Sequence, residues 1–359
     1  AIYNVDIDRT AAFNGQLINQ AKEIVVNNSA ISVKSGNNLY EYKALGITLN
    51  SRTKTIRVNS FRIVPQLNEE AFVRKVGYQT DRYDILIKDL RANDVDAEKL
   101  VKGEINIGNI STTGSSVKVF RDLSYPIDSA AKRSQRMTYP HQLIHKLGIP
   151  IKISKFTLAN TYIEYKEKNA KSHSSGRVRF VNTYVNINDI SNHKAKPGAK
   201  MIVNFKSTFL DKIPLTGRFT FSQDKWQKGD FSVEASVVNS VDVVVLNQLT
   251  EPMSLAKVEK GRINSLRFSM KADTNTSNGT LVMPYEDLKI SLLKKKGDDY
   301  VKKGIFSVLA NLAVKNNNKE GDNMRTGKVV NTRNTYKSFF NFIWTTLFKG
   351  IKDVAVIKI

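Results

Sequence analysis

Two histidines one helical turn apart, His141 and His145, have the most metal-like spacing in this chain. A zinc hydrolase built on such a pair needs a glutamate beside the first histidine as general base. Gln142 stands there instead, and no third ligand follows at a motif spacing. The pair is therefore read as two surface or half-buried histidines of a basic region. His173 and His193 lie in turn-like contexts and add no ligand set. Gly321 to Lys328 reads G-D-N-M-R-T-G-K, which imitates a phosphate loop but places five residues between the glycines instead of four. Val329 also occupies the position of the hydroxyl that would hold magnesium. There is no G-x-S-x-G elbow, and the Asp and Glu residues are scattered with no pair at a spacing that favours two-carboxylate chemistry. The chain has no cysteine, which excludes disulfides, thiolate nucleophiles and thiolate metal sites. No catalytic residue, metal or cofactor is assigned, and the chain is read as a non-enzyme.

The elements that would position any site are strands. Apolar residues alternate with polar ones at Ile56/Val58, Ile85/Ile87, Ile105/Ile107, Val117/Val119, Ile151/Ile153, Val178/Phe180, Val203/Phe205 and Phe219/Phe221. This period of two marks antiparallel strands with unlike faces. Turn signals separate the runs at residues 35–38, 113–115, 174–176, 196–198 and 277–279. The phase slips between Ile153 and Phe156, which predicts a bulge or bend there. The fold class that follows is mainly β: a long, curved antiparallel sheet forming an open groove or half-barrel over residues 1–298. A C-terminal segment, 299–359, is expected to be helical. Within it, residues 300–314 carry Val301, Ile305, Val308, Leu309 and Leu312 at helical spacing, and 315–335 reads as an exposed polar loop. Residues 336–351 form an amphipathic helix whose stripe is Tyr336, Phe339, Phe340, Ile343, Trp344, Leu347, Phe348 and Ile351. Shorter helices are expected at 69–76, 96–102 and 139–147.

The 359 residues hold 56 Lys and Arg against 33 Asp and Glu, a net charge of +23. The excess concentrates in residues 129–179, with eleven basic and two acidic side chains, and in 283–359, with fifteen and seven. Both zones suit a polyanion or an anionic lipid surface. A nucleic-acid reading would need basic and aromatic side chains interleaved on one face. Residues 155–166 mix Lys155, Phe156, Tyr162, Tyr165 and Lys166, but no nucleic-acid-binding motif accompanies them. Nucleic acid is not expected as a partner.

The run from Ile149 to Tyr165, I-P-I-K-I-S-K-F-T-L-A-N-T-Y-I-E-Y, resembles a segment of the AsmA-like proteins of the bacterial envelope. Val258-Glu259-Lys260-Gly261-Arg262-Ile263, Gly279-Thr280-Leu281, Tyr285 to Ile290, Ala310-Asn311 and Phe339 to Trp344 with Gly350-Ile351-Lys352 follow in the order of the C-terminal part of such proteins from Bacteroidetes. The resemblance implies a periplasmic protein, held at the inner membrane by a segment upstream of Ala1 and related to bridge-like lipid-transfer proteins. The implied function is carriage of phospholipid between inner and outer membranes in an apolar β-groove, with phospholipids, anionic membrane surfaces and other envelope proteins as partners. On this reading Ile151, Ile153, Phe156, Leu158, Val203, Phe205, Phe219 and Phe221 line the groove, and Phe340, Trp344, Phe348, Lys337 and Lys349 contact a membrane. The aromatic helix is expected to pack on the open end or edge of the sheet, with a bilayer interface as the other destination for its stripe. The alternative function is a structural or interaction protein of the envelope, in which the same apolar faces close a filled core.

Overall fold

A computed structural model describes residues 24–128, 137–170, 172–296, 299–302, 314–335 and 337–356. The strands follow in chain order: β1 (Val25–Lys34), β2 (Tyr40–Asn50), β3 (Thr55–Pro65), β4 (Asp81–Val95), β5 (Ile105–Thr113), β6 (Ser116–Asp122), β7 (Ile151–Lys168), β8 (Ser175–Ser191) and β9 (Lys200–Phe209). Then come β10 (Ile213–Ser222), β11 (Phe231–Val237), β12 (Val241–Asp242), β13 (Ala256–Ile263), β14 (Leu266–Ala272), β15 (Thr276–Val282), β16 (Tyr285–Lys296), β17 (Asp299–Lys302) and β18 (Thr326–Thr332). Among the described residues five α-helices accompany them: α1 (Glu69–Val76), α2 (Ala97–Val101), α3 (Pro140–His145), α4 (Asn247–Ser254) and α5 (Phe339–Ala355).

One sheet of fourteen strands dominates, in the order β1-β2-β3-β4-β5-β7-β8-β9-β10-β11-β14-β15-β18, with β6 continuing the line of β5 between β4 and β7. The sheet is antiparallel except at one joint, where β5 and β6 run parallel to β7. Residues 123–150, which include α3, make that crossover, because a parallel pair cannot be joined by a tight turn. A smaller sheet, β12-β13-β16-β17, packs beside the C-terminal half.

One line of paired residues runs across the whole width of the large sheet. Reading partner to partner gives Val26, Leu49, Ile56, Ala92, Ile110, Phe156, Ile187, Val203, Phe219, Val233, Met270, Gly279 and Val329. The adjacent row, from β2 onward, is Thr48, Arg57, Arg91, Ser111, Thr157, Asn186, Asn204, Arg218, Glu234, Ser269, Thr280 and Lys328. Cross-strand partners share a face and successive residues alternate faces. One face of the sheet is therefore apolar from edge to edge and the other polar. At ~4.8 Å per strand the apolar row is about 60 Å long.

The sheet is bent along two lines. Gly46 (φ 64°), Asp89 (φ 47°), Gly114 (φ 69°), Asn160 (φ 45°) and Asn182 (φ 50°) hold left-handed backbone inside or between strands. Asp94 (φ 57°) and Asp189 (φ 61°) do so along a second line. Asn and Asp tolerate this conformation better than other side chains, and at Gly46 a Cβ would lie 2.2 Å from Asn59 Nδ2. The apolar phase changes at these lines: Ile85 and Ile87 give way to Leu90 and Ala92, and then to Val95. Ala92, Val95, Ile107, Ile110 and Ile153 still pack in one cluster, so the phase change keeps them on a common face. Buried hydroxyls satisfy backbone beside the first line. Ser115 Oγ accepts from Lys88 N at 3.1 Å and pairs with Thr112 at 2.6 Å. Ser207 Oγ donates to Val181 O at 3.1 Å and pairs with Thr183 at 2.9 Å.

Several expectations need correction. One holds: the slip expected between Ile153 and Phe156 falls on the second bend, where Ser154 is skipped in the pairing of β7 with both β5 and β8, opposite Asp189, while the register shifts of β7 lie between Leu158 and Ile163. Residues 277–279 lie within β15 and make no turn. In the supposed helix 300–314, residues up to Lys302 belong to β17, and 303–313 lie outside the described residues, as does Tyr336. The supposed loop 315–335 contains β18, which completes the large sheet. Asn318, fully buried, anchors its approach by donating to Met283 O and Arg325 O, each at 3.0 Å. Residues 299–359 thus supply strands to both sheets as well as a helix. The helices expected at 69–76, 96–102 and 139–147 correspond to α1, α2 and α3.

α5 lies across β15 and β18 on the apolar face. Phe339, Phe342, Thr346, Gly350 and Val354 are buried there. Its approach is close because glycine stands on both sides of the contact: a Cβ on Gly327 would sit 2.7 Å from the Gly350 carbonyl oxygen. Thr346 pairs with Ser277 at 2.9 Å and accepts from Asn331 at 3.0 Å, fixing the register of helix on sheet. Gly327→Val should therefore lower unfolding stability by about 1–3 kcal/mol, the usual cost of overpacking. Gly36→Ala, with nothing within 4 Å of the added methyl, serves as the silent control. Urea denaturation of both variants measures the difference.

Candidate functional site

The apolar face is covered at one end and open at the other. Towards the C-terminal edge, Val233, Met270 and Val329 are 3, 2 and 4 % exposed, and in the next row Phe268 and Leu281 are 4 and 0 %. α5, α3 and the small sheet close over them. Phe221, Phe231, Phe339 and Phe342 meet Tyr139 in an aromatic cluster with ring centroids 5.0–6.5 Å apart. From β2 to β9, by contrast, Leu49, Ile56, Val58, Ile110, Phe156, Leu158, Val185, Ile187, Val203 and Phe205 are all only half-buried. At the β1 edge Ile31 and Val33 are each 56 % exposed. Two covers reach into this half: Leu100 of α2 packs on the cluster of Ala92, Val95 and Ile107, and Ile187, Ile190 and Val203 pack against the closed-end core beside Ile144 of α3. A filled sandwich would bury such residues nearly completely. The arrangement is an apolar trough with one closed end.

The residues expected to line a groove distribute along this trough. Phe156, Val203 and Phe219 stand in the long apolar row. Leu158 and Phe205 stand in the row beside it, linked through Val185. Ile153 lies beyond the second bend, on the cluster with Ala92 and Ile107. Ile151 and Phe221 are 8 and 2 % exposed. They are core residues, and Phe221 offers no free surface because Phe231, Phe339 and His141 surround it. Sequence reasoning missed Val185 and Ile187, which lie between the two expected groups. Their alternation was legible in T-Y-V-N-I-N, but only pairing to β7 and β9 places them in the same rows. The mixed stretch 155–166 separates onto both faces: Lys155 is exposed opposite the half-buried Phe156, and Tyr165 donates to Glu167 at 2.7 Å.

The opposite face carries charge. Asp84, Lys118, Glu164 and Arg179 stand opposite one another on β4, β6, β7 and β8, an alternating ladder. A cavity of about 580 Å³ beside it is lined by Glu69, Arg82, Lys118, Lys166 and Arg177 among others. Lys166 is engaged there by Glu69 at 2.6 Å, and Arg82 donates to Leu67 O at 3.0 Å.

The residues first weighed for chemistry have structural tasks. Gly327 and Lys328 lie in β18. No group of three or more His, Asp or Glu that could hold a metal exists among the described residues. α3 is a peg at the closed end. Gln142 donates to Trp226 O at 3.0 Å and accepts from Tyr139 N at 3.2 Å, and Tyr139 donates to Asp273 O at 3.0 Å. His145 stacks on Trp226 with centroids 4.6 Å apart. His141, 1 % exposed and 4.9 Å from Phe221, has no hydrogen-bond partner for either ring nitrogen. No protein-family model matches this chain, and no curated protein matches it.

Burial, with the charge of His145 second, pushes His141 down to about 4. Its folded-state value lies below its unfolded value near 6.5, so the neutral ring stabilises fully above pH 6.5. That contribution is lost as pH falls towards 4. At ~1.36 kcal/mol per pK unit, about 2–3 kcal/mol should disappear between pH 7 and pH 4.5. Urea unfolding of wild type and His141→Phe at both pH values checks this: the difference between the two proteins should move by that amount in favour of the variant at low pH. Parallel pH profiles would contradict it.

Proposed function

We propose that this protein is a non-enzymatic carrier of lipid acyl chains, which lie in the apolar trough between β1 and β9. The observation that carries the reading is the run of half-buried apolar side chains from Leu49 to Phe205 opposite a polar face, with α2 packed at Ala92, Val95 and Ile107 and the closed-end core reaching Ile187 and Val203. Burying apolar surface is favourable by ~25 cal/mol per Å², or about 0.8 kcal/mol per methylene. The trough wall from Leu49 to Phe205 offers aliphatic and aromatic side chains without a fixed polar recognition group, which suits chains of any headgroup. The filled-core alternative fits the end from β10 to β18, whose core Met201, Ile187 and Val203 also join. The resemblance to AsmA-like envelope proteins supports phospholipid as cargo and the periplasm, between the two membranes of a bacterial envelope, as the place. No helix among the described residues is long and apolar enough to cross a membrane.

Mass spectrometry of an organic extract of the purified full chain tests the reading. Phospholipid should co-purify, or a pyrene-labelled phospholipid should be taken up. Leu158→Glu/Phe205→Glu, which puts two carboxylates on the open wall, should lower uptake at least about tenfold while leaving the melting temperature of the closed end near that of wild type. Lipid-free protein that takes up no probe would overturn the proposal.

A further inference from the structure

The outward side of α5 is not used by the fold. Phe340, Trp344 and Phe348 recur every fourth residue along it and are 70, 54 and 41 % exposed, while Phe342, Thr346 and Gly350 on the other side are buried on the sheet. Isolated exposed apolar residues are ordinary, but three large aromatics in one ridge are not. The ridge is pre-organised: the rings of Trp344 and Phe348 stack with centroids 5.9 Å apart. Its surroundings are cationic. Lys337 is exposed just before the N-cap, Ser338. The Lys352 ammonium lies 4.7 Å over the Phe348 ring, and Lys349 reaches Val330 O at 3.4 Å on the sheet edge. Asp353, the one acid between Lys337 and Val356, is directed to that edge too, where it accepts from Lys328 N at 3.2 Å. Within residues 337–356 no other carboxylate is present, so the helix itself sets aromatic rings beside positive charge alone on its outward side.

We propose that α5 is an interfacial helix that docks the closed end of the trough onto an anionic membrane surface. Phe340, Trp344 and Phe348 enter the boundary between headgroups and acyl chains, where aromatic rings are favoured, and Lys337, Lys349 and Lys352 meet headgroup phosphates. The complementarity is one-sided: the helix brings cations and no acid to its ridge, and the membrane brings anions. The helix stays folded on β15 and β18 through Gly327, Gly350 and the Thr346 hydrogen bonds, so docking uses only the free side. The proposal does not depend on what the trough carries.

The test uses the full chain with Trp226→Phe, which leaves Trp344 as the single tryptophan and keeps an aromatic ring beside His145. Vesicles of phosphatidylcholine with 30 % phosphatidylglycerol should move Trp344 emission from its solvent-exposed position to shorter wavelength. Pure phosphatidylcholine vesicles should do so weakly, and raised salt should reduce the effect. In the same background Phe340→Ser/Phe348→Ser should weaken partitioning roughly tenfold or more, and each of Lys337, Lys349 and Lys352 replaced by Gln about fivefold. These side chains are exposed, so the serine, Lys337 and Lys352 variants should melt as the parent does; Lys349→Gln, which also loses the contact to Val330 O, is compared at its own melting temperature, and co-purified lipid content should be unchanged throughout. Unshifted emission on anionic vesicles would overturn the proposal. So would undiminished vesicle binding by the serine variant, or capture of a protein by the ridge in place of vesicles.

Discussion

The structure depends on strand register. Thirteen strands present an apolar residue, or at Gly279 a glycine, at one position, and twelve of them a polar residue at the position beside it. A slip of one residue in any strand would turn its whole pattern over and place charge on the apolar wall. The two bends meet the same constraint. They occur where Gly, Asp and Asn adopt left-handed backbone, on β2, β4, β7 and β8 with Gly114 between β5 and β6 at the first line, and on β4 and β8 at the second. Curvature is introduced without mixing the faces.

Different ends of the sheet solve different problems. At the C-terminal edge, β18 is protected by α5, whose Asp353 and Lys349 occupy an N–H and a carbonyl of the edge strand. The same helix, with the peg α3, fills the trough with aromatic rings. Towards β1 the apolar wall continues half-buried, with α2 packed beside Ala92, Val95 and Ile107. The sheet is thus solid core at one end and open wall at the other, and the buried, partnerless His141 belongs to the solid part. The lipid reading applies only to the open part.

Much of the fold was legible in the sequence. Alternation at Val203/Phe205 and Phe219/Phe221 requires strands, and the 3–1 spacing from Phe339 to Ile351 requires a helix. That same spacing did not reveal that the helix is apolar on nearly all sides, with Phe342, Thr346 and Gly350 facing the sheet and Phe340, Trp344 and Phe348 facing out. Gly350 and Thr346 are not hydrophobic by composition, and only Gly327 and Ser277 opposite them make them interface residues. β18 escaped notice because T-G-K-V-V-N-T alternates glycine, valine and asparagine on its buried side, a weak apolar signal that a tight helix contact explains. The division of the trough into open and closed halves was not legible, since Phe205 and Phe221 have the same type and period. What separates them is which helix reaches each one.

Val185 and Asn186 are adjacent on β8, one on the apolar wall and one in the polar row, so they test the central claim with the least change to the protein. A photo-reactive phenylalanine analogue placed at each position, in chain purified with its bound lipid or equilibrated with phospholipid vesicles, reads which face meets acyl chains. The account predicts phospholipid adducts from position 185 and none above background from position 186. Equal labelling of the two positions, or none at either, would contradict it.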